Sequence, residues 1–161
     1  MTNPEILTLR LAIPEDVLDI LHWRNEALTR SMSRDTEVIE ELEHQKWFSK
    51  VLNDPKRLLL IGVCEEKKVG MVRFDRCNEE QWEVNIIVNP EVRGKGLGRH
   101  LLEMALEWLQ NIYAPTSVLA VVNLNNKPSL KLFHALGFNQ KSDNGEFANL
   151  VLYSSISSMS I

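Results

Sequence analysis

Cysteine is scarce in this 161-residue chain, where Cys64 and Cys77 are the whole complement. Two thiols make neither a disulfide framework nor a metal-ligand set, and they read as reduced cysteines in or near strands. The four histidines, at positions 22, 44, 100 and 134, lack metal-ligand spacing, so no metal is expected. No apolar run approaches the roughly 18–20 residues that span a bilayer. Met1-Thr2-Asn3-Pro4-Glu5 lacks the basic and apolar regions of a secretory signal. A cytoplasmic protein with no membrane segment is the expectation. Positive charge is also short: 18 Lys and Arg stand against 22 Asp and Glu, a net charge of −4. That balance argues against a nucleic-acid binder. The deficit sits in residues 1–80, with 12 basic and 16 acidic side chains, whereas residues 81–161 carry 6 of each. Any phosphate ligand must then be held by local geometry rather than bulk charge. Repeats, low-complexity tracts and Pro/Gly/Ser-rich linkers are missing, apart from a Ser-rich end over 154–161 that should fray.

What is present suits one domain over residues 1–161, with 44% hydrophobic and 25% charged side chains around a single core. Ile6 to Ala12 alternates as a strand. Pro14-Glu15-Asp16 opens a helix that runs to about Asn25. A second helix covers about Glu40 to Leu52, with Leu42, Phe48, Val51 and Leu52 on one stripe, and ends at Asn53-Asp54-Pro55. Arg57–Cys64 and Val69–Asp75 form a hairpin around the charged turn Glu65-Glu66-Lys67-Lys68. Trp82–Val88 is the fourth strand, stopped by Asn89-Pro90. Gly98–Ile112 is an amphipathic helix with Leu101, Ala105, Trp108, Leu109 and Ile112 at helical spacing. Ser117–Val122 is an apolar strand, Asn126–Leu136 a short helix closed by Gly137, and Phe147–Tyr153 the last strand. These elements make an α+β plan with a mixed sheet and about four helices.

Chemistry concentrates in Val88-Asn89-Pro90-Glu91-Val92-Arg93-Gly94-Lys95-Gly96-Leu97-Gly98-Arg99. Three glycines in five residues lie between a strand and a helix. Such a turn frees backbone N–H groups and places them at the positive end of a helix dipole, an anion cradle. A P-loop needs Lys followed by Ser or Thr after its last glycine, and Lys95 precedes Gly96 instead. The dinucleotide fingerprint needs G-x-G-x-x-G, which the spacing 94, 96, 98 does not supply. Phosphate or pyrophosphate binding is the expectation.

Arg93-x-x-Gly96-x-Gly98 resembles the pyrophosphate loop of the GCN5-related N-acetyltransferases (GNAT), which bind acetyl-coenzyme A. Asn126-x-x-Ser129-x-x-Leu132-Phe133-x-x-x-Gly137-Phe138 is similar to the family's late helix and turn. The resemblance implies a mostly antiparallel sheet that splays at the fourth strand, where pantetheine adds like an extra strand. It implies backbone contacts from Ile86, Ile87 and Val88 to pantetheine and the acetyl carbonyl. N–H groups from Arg93, Gly94, Lys95, Gly96, Leu97, Gly98 and Arg99 would bind pyrophosphate. Asn126 would reach the pantetheine arm, or cap its helix, and Ser129 the phosphate side.

Acetyl transfer needs a neutral amine, a donor for the carbonyl oxygen and a proton for the leaving sulfur. The expected oxyanion donor is the Val88 N–H, and the expected base is Glu83 acting through water, with Asn85 on the same face. Many relatives carry a tyrosine where this chain has Phe133, so Tyr153, His134 or water must protonate sulfur. For the acceptor, Trp23-Arg24-Asn25, Arg30, Glu43-His44 and Trp47-Phe48 resemble the branch that acetylates a 4-amino-sugar nucleotide in pseudaminic acid synthesis. Arg24, Asn25 and Asn85 are the expected acceptor contacts. The implied function is acetyl-CoA-dependent transfer to a small primary amine. A ribosomal-protein or N-terminal peptide acetyltransferase is the enzymatic alternative, and a degenerate acyl-CoA-sensing module the non-enzymatic one. Expected partners are the amine alone, with a homodimer as one assembly option and neither nucleic acid nor membrane.

Overall fold

A computed structural model describes residues 6–154; the expected fraying beyond Ser154 and the reading of Met1–Glu5 lie outside them. Seven strands form one sheet in the order β1-β2-β3-β4-β5-β7-β6. They are β1 (Thr8–Leu11), β2 (Arg57–Cys64), β3 (Lys67–Arg76), β4 (Gln81–Val88), β5 (Ser117–Asn123), β6 (Asn139–Asp143) and β7 (Phe147–Tyr153). Every neighbouring pair is antiparallel except β4–β5. The β2–β3 connection is a two-residue turn rather than the expected four. Glu65 and Glu66 adopt φ of 52° and 68°, which suits the twist of a tight hairpin.

Five helices flank the sheet, one more than expected: α1 (Val17–Asn25), α2 (Ala27–Met32), α3 (Glu41–Leu52), α4 (Leu97–Tyr113) and α5 (Lys127–Ala135). The addition is α2, whose six residues are too short to show a period. Apolar periodicity sorts the others into two layers. Leu101, Leu102, Ala105 and Leu109 of α4 pack with Leu60, Val72, Phe74, Trp82 and Val84 on one face. Ile20, Trp23, Phe48 and Val51 of α1 and α3 pack with Leu59, Ile61 and Met71 on the other. Two expected stripe residues fall outside this packing. Leu42 is 64% exposed because it lies about 180° around α3 from Val51. Ile112 is 56% exposed, although it shares a face with fully buried Leu101 and Ala105. Among the described residues no helix is long and apolar enough to cross a membrane.

One buried carboxylate ties the layer of α1 and α3 to the sheet. Asp16 is fully buried. It accepts from Arg10 at 2.7 and 2.9 Å, from the Ile13 amide at 2.9 Å and from Lys68 at 2.7 Å. Burial pushes its pKa up, but these donors outweigh that and hold it well below the usual carboxylate range. A folded-state pKa below the unfolded value stabilises at neutral pH, and that stabilisation disappears as pH falls below about 4. Asp16→Asn should therefore cost about 3 kcal/mol, because Arg10 loses its anion and Lys68 keeps only the more exposed Asp19 at 2.7 Å. Urea unfolding at pH 7 and pH 3 checks this: the wild type should lose stability on acidification more steeply than the variant.

Candidate active site

Strand β4 parts from β5 half-way along. Their parallel register runs from Gln81↔Ser117 to Val84↔Ala120 and stops. Beyond it β4 stays paired with β3 as far as Gly70↔Val88, while β5 follows β7 to Asn123↔Phe147. A V-shaped gap opens, with residues 85–88 on one wall and 121–123 on the other. Alternation decides which backbone groups line it. The Gln81 carbonyl accepts from the Cys77 amide, and the Asn89 amide donates to the Val69 carbonyl at 2.7 Å. Odd-numbered β4 residues therefore turn their N–H and C=O toward β3, and even-numbered ones turn away. Ile86 and Val88 face the gap. Ile87 does not, contrary to expectation: its carbonyl is turned to β3, where a Cβ on Gly70 would strike it. On the opposite wall the Ser117 amide donates to Glu80 and the Leu124 amide to Glu146. Val121 and Asn123 accordingly present their backbone to the gap.

The glycine turn follows at the wide end, beyond Val88. The Asn89 side chain accepts from the Glu91 amide at 3.1 Å and donates to the Lys68 carbonyl at 2.9 Å, pinning the end of β4 to β3. Gly94 and Gly96 adopt φ of 78° and 74°, and a Cβ on either would meet nothing within 4 Å. These two glycines serve the left-handed backbone and border open space. Gly98 serves proximity, since a Cβ there would stand 2.9 Å from Val88 Cγ2. The α4 ladder starts at the His100 amide, which donates to the Gly96 carbonyl at 3.4 Å. The Leu97, Gly98 and Arg99 amides precede it and head the helix as donors with no partner among the described residues. Lys95 and Arg99 are exposed and form no ion pair among the described residues. Helix-head amides with exposed cations beside them are an arrangement that can hold an anion.

Arg93 is placed otherwise than expected. Its guanidinium donates to Glu26 Oε2 at 2.6 Å and Thr29 Oγ1 at 2.9 Å, and its amide turns to the Pro90 carbonyl. Glu26 caps α2 through the Thr29 amide, and the Arg93 bond draws the Glu26 carboxyl down to about 2. Arg93 thus ties the glycine turn to α2 instead of lining the cradle. Asn126 caps α5, its Oδ1 accepting from the Ser129 amide at 3.2 Å. The Asn126 NH2 and Ser129 hydroxyl form no hydrogen bond among the described residues.

The sheet face carrying Glu83, Asn85 and Ile87 is the one covered by α1 and α3, and it borders the gap. Neighbouring β3 adds Asp75 and Arg73 opposite Glu83 and Asn85. Arg57 and Arg73 bind Asp75 through their Nε atoms at 3.2 and 3.1 Å, and Arg34 approaches Glu83 at 3.4 Å. Arg24 lies over the Trp47 ring, 4.3 Å from its centroid, and Arg73 stands 5.5 Å from the same centroid. His44 is buried. Its Nε2–H donates to the Val17 carbonyl at 2.7 Å and its Nδ1 accepts from Arg24 at 3.1 Å. Burial, with the Arg24 charge, keeps the imidazole pKa below its ordinary value despite the Val17 bond. A neutral ring with that tautomer suits both partners.

Two expected contacts are not available. Asn25 donates to the Ile39 carbonyl at 2.9 Å and accepts from the Ile39 amide at 2.8 Å. Its amide is consumed in pinning the α2–α3 loop. Tyr153 pairs with Ser117, beside Gln81, and seven strand residues, about 23 Å, separate Gln81 from Val88. It lies at the closed end of the sheet, too far to protonate a sulfur in the gap. Phe133 packs edge-to-face on Phe138 at 5.0 Å within the core, and His134 Nδ1 is bonded to the Phe138 carbonyl at 3.1 Å. Sequence reasoning missed Arg73, Asp75, Arg34 and Glu26. The alternation of Met71, Arg73 and Asp75 along β3 was the one available signal. Among the described residues no group of three His, Cys, Asp or Glu side chains could hold a metal ion.

A family model described as "Acetyltransferase (GNAT) family" matches residues 17–138. YwnH of Bacillus subtilis (strain 168), provisionally named a phosphinothricin acetyltransferase, is 32% identical over 139 residues, covering 82% of this chain and 83% of that one. Spermidine N(1)-acetyltransferase of Escherichia coli (strain K12) is 22% identical over 113 residues, 65% of this chain and 61% of that protein. Among solved structures, a spermidine N-acetyltransferase from Vibrio cholerae in complex with CoA and spermine superposes with a TM-score of 0.85. It is 21% identical, over 94% of this chain and 97% of that one. A domain from Methanocaldococcus jannaschii reaches 0.80 at 26% identity, over 96% and 100% of the two chains.

Proposed function

The chain belongs to the acetyltransferase (GNAT) family, and from that premise we propose that it acetylates the primary amine of a small acceptor lying over β3 and β4. It is an acetyl-CoA-dependent N-acetyltransferase. The observation that carries the reading is the gap beyond Val84↔Ala120, lined by strand backbone that β4 and β5 no longer share and followed at its open end by a turn of helix-head amides. When bound, acetyl-CoA supplies an activated acetyl thioester. Leu97, Gly98 and Arg99 amides, with the Gly94–Gly96 turn, hold its pyrophosphate. Ile86 and Val88 pair with its pantetheine arm as a strand edge would. The Val88 N–H donates to the carbonyl oxygen as negative charge builds there. Asn126 and Ser129 supply side-chain donors from α5.

On the acceptor side Arg24 and Asn85 position the amine-bearing molecule. Glu83 removes the ammonium proton through a chain of waters, because it sits five residues, about 17 Å along the strand, from Val88. The proton for the departing sulfur comes from water, since the side chains considered for it are distant or engaged. A 4-amino-sugar nucleotide is one acceptor that fits this face. Basic peptides fit it less well, because Arg24, Arg34, Arg57 and Arg73 stand there. The test is release of free CoA thiol across a broad amine panel that includes UDP-linked amino sugars and basic peptides. Amine-dependent thiol release supports the enzyme. Tight acetyl-CoA binding with no amine-dependent release indicates a sensing module, and turnover of peptides alone refutes a small acceptor.

A further inference from the structure

The face beside the gap is locally cationic in a chain whose net charge is −4. Arg57 and Arg73 share Asp75, and Arg34 has Glu83. Arg24 has only neutral His44 and the face of Trp47, and no carboxylate stands within ion-pair distance of it among the described residues. Burial and the nearby Arg73 charge bring the Arg24 pKa down to about 10, against a partial offset from Glu43. A half-buried guanidinium with a like charge beside it and no counter-ion is costly in the free protein.

We propose that Arg24 and Arg73, braced on Trp47, seat an anionic group of the acceptor: a carboxylate, phosphonate or phosphate on the molecule that carries the amine. This rests on the acetyltransferase reading and names its substrate class. Arg73 is the cross-strand partner of Asn85, the first β4 residue beyond the β5 pairing, so the seat adjoins the gap. About 10 Å of strand separates Asn85 from Val88. An arginine side chain covers much of that distance, which places the acceptor's amine and anion a few bonds apart. Planar guanidinia suit oxyanions, and their charge repels a second ammonium. A polyamine, the acceptor named for two of the relatives, is therefore a poor fit to this chain. A small amino acid and a sugar nucleotide share the favoured chemistry.

Matched probes separate the sources. The panel is 3-aminopropylphosphonate and 4-aminobutyrate, their uncharged counterparts 1-aminobutane and 4-aminobutanamide, spermidine, and a UDP-linked 4-amino sugar. Each is titrated by calorimetry into the enzyme saturated with CoA, and kcat/KM is measured with acetyl-CoA. Anionic amines should bind and react at least tenfold better than their uncharged counterparts. Arg24→Gln and Arg73→Gln should each erase about 10–100-fold of that preference, mainly in KM, with a much smaller loss on the uncharged amines. Arg73→Lys, which keeps the charge without the fork, should restore part of it. A merely structural loss would lower all acceptors alike. Success with the UDP sugar alone assigns a nucleotide diphosphate, and success with the small acids assigns a free acid. Equal rates on charged and uncharged amines, or a preference for spermidine, overturns the anion seat while the acetyltransferase stands. Acetyl-CoA binding without turnover of any amine in the broad screen overturns the acetyltransferase instead.

Discussion

Gly96→Glu is expected to abolish acetyl-CoA binding and leave the fold intact. Gly96 is the N-cap of α4 with φ of 74°, and a Cβ there meets nothing within 4 Å. The side chain would displace no protein atom. It would fill the open space of the cradle and set a carboxylate against helix-head amides arranged for an anion. The left-handed backbone adds about 1–2 kcal/mol of local strain for a non-glycine residue. Loss of several charge-assisted hydrogen bonds of about 1.5–3 kcal/mol each predicts at least hundredfold weaker binding. Gly96→Ala separates the contributions: it carries the strain without the charge and should weaken binding far less. Calorimetry on folded variants measures both, and a Gly96→Glu protein with unchanged affinity would place the cofactor elsewhere.

Glu83→Gln is the second large expectation. Acetyl-CoA affinity should hold, because the cofactor meets backbone of β4, while kcat falls by about 10²–10⁴, the usual contribution of a general base. Glutamine keeps the size of Glu83 and a polar atom for Arg34, which stands 3.4 Å away, so the change is confined to the proton acceptor. The loss should be largest near neutral pH and shrink as pH rises, because the amine then deprotonates without help. Acceptor chemistry modulates this. Ring oxygens lower the amine pKa of an amino sugar, which then depends on a base less than a lysine-like amine does. The measurement is kcat/KM against pH for both acceptor types in wild type and variant. A small effect on a lysine-like amine at pH 7 removes Glu83 from the mechanism.

The residues most legible in the sequence were those whose signal is local. Gly94, Gly96 and Gly98 lie within five residues and announce a turn before a helix, and the structure separates their roles without moving them. Asn126 reads as a cap and is one. Arg93, by contrast, reads as part of the turn, but its guanidinium is drawn 67 residues away to Glu26. Asn25 reads as an acceptor contact because it follows Arg24, yet the Ile39 backbone takes its amide. Tyr153 has the right hydroxyl and the wrong end of the sheet.

By itself the amino-acid sequence determined most of the elements and the glycine turn before α4, missing only the short α2 and the polar β6, because period, glycine placement and helix caps act over a few residues. Only the tertiary structure decided which backbone groups face the gap, since that depends on where β4 leaves β5 and on the parity of its bonds to β3. It alone brought Arg24, His44 and Trp47 of two helices against Arg73 of a strand. Side chains so far apart along the chain meet only when the sheet register and helix docking are set. No local pattern records the charge that results from their meeting.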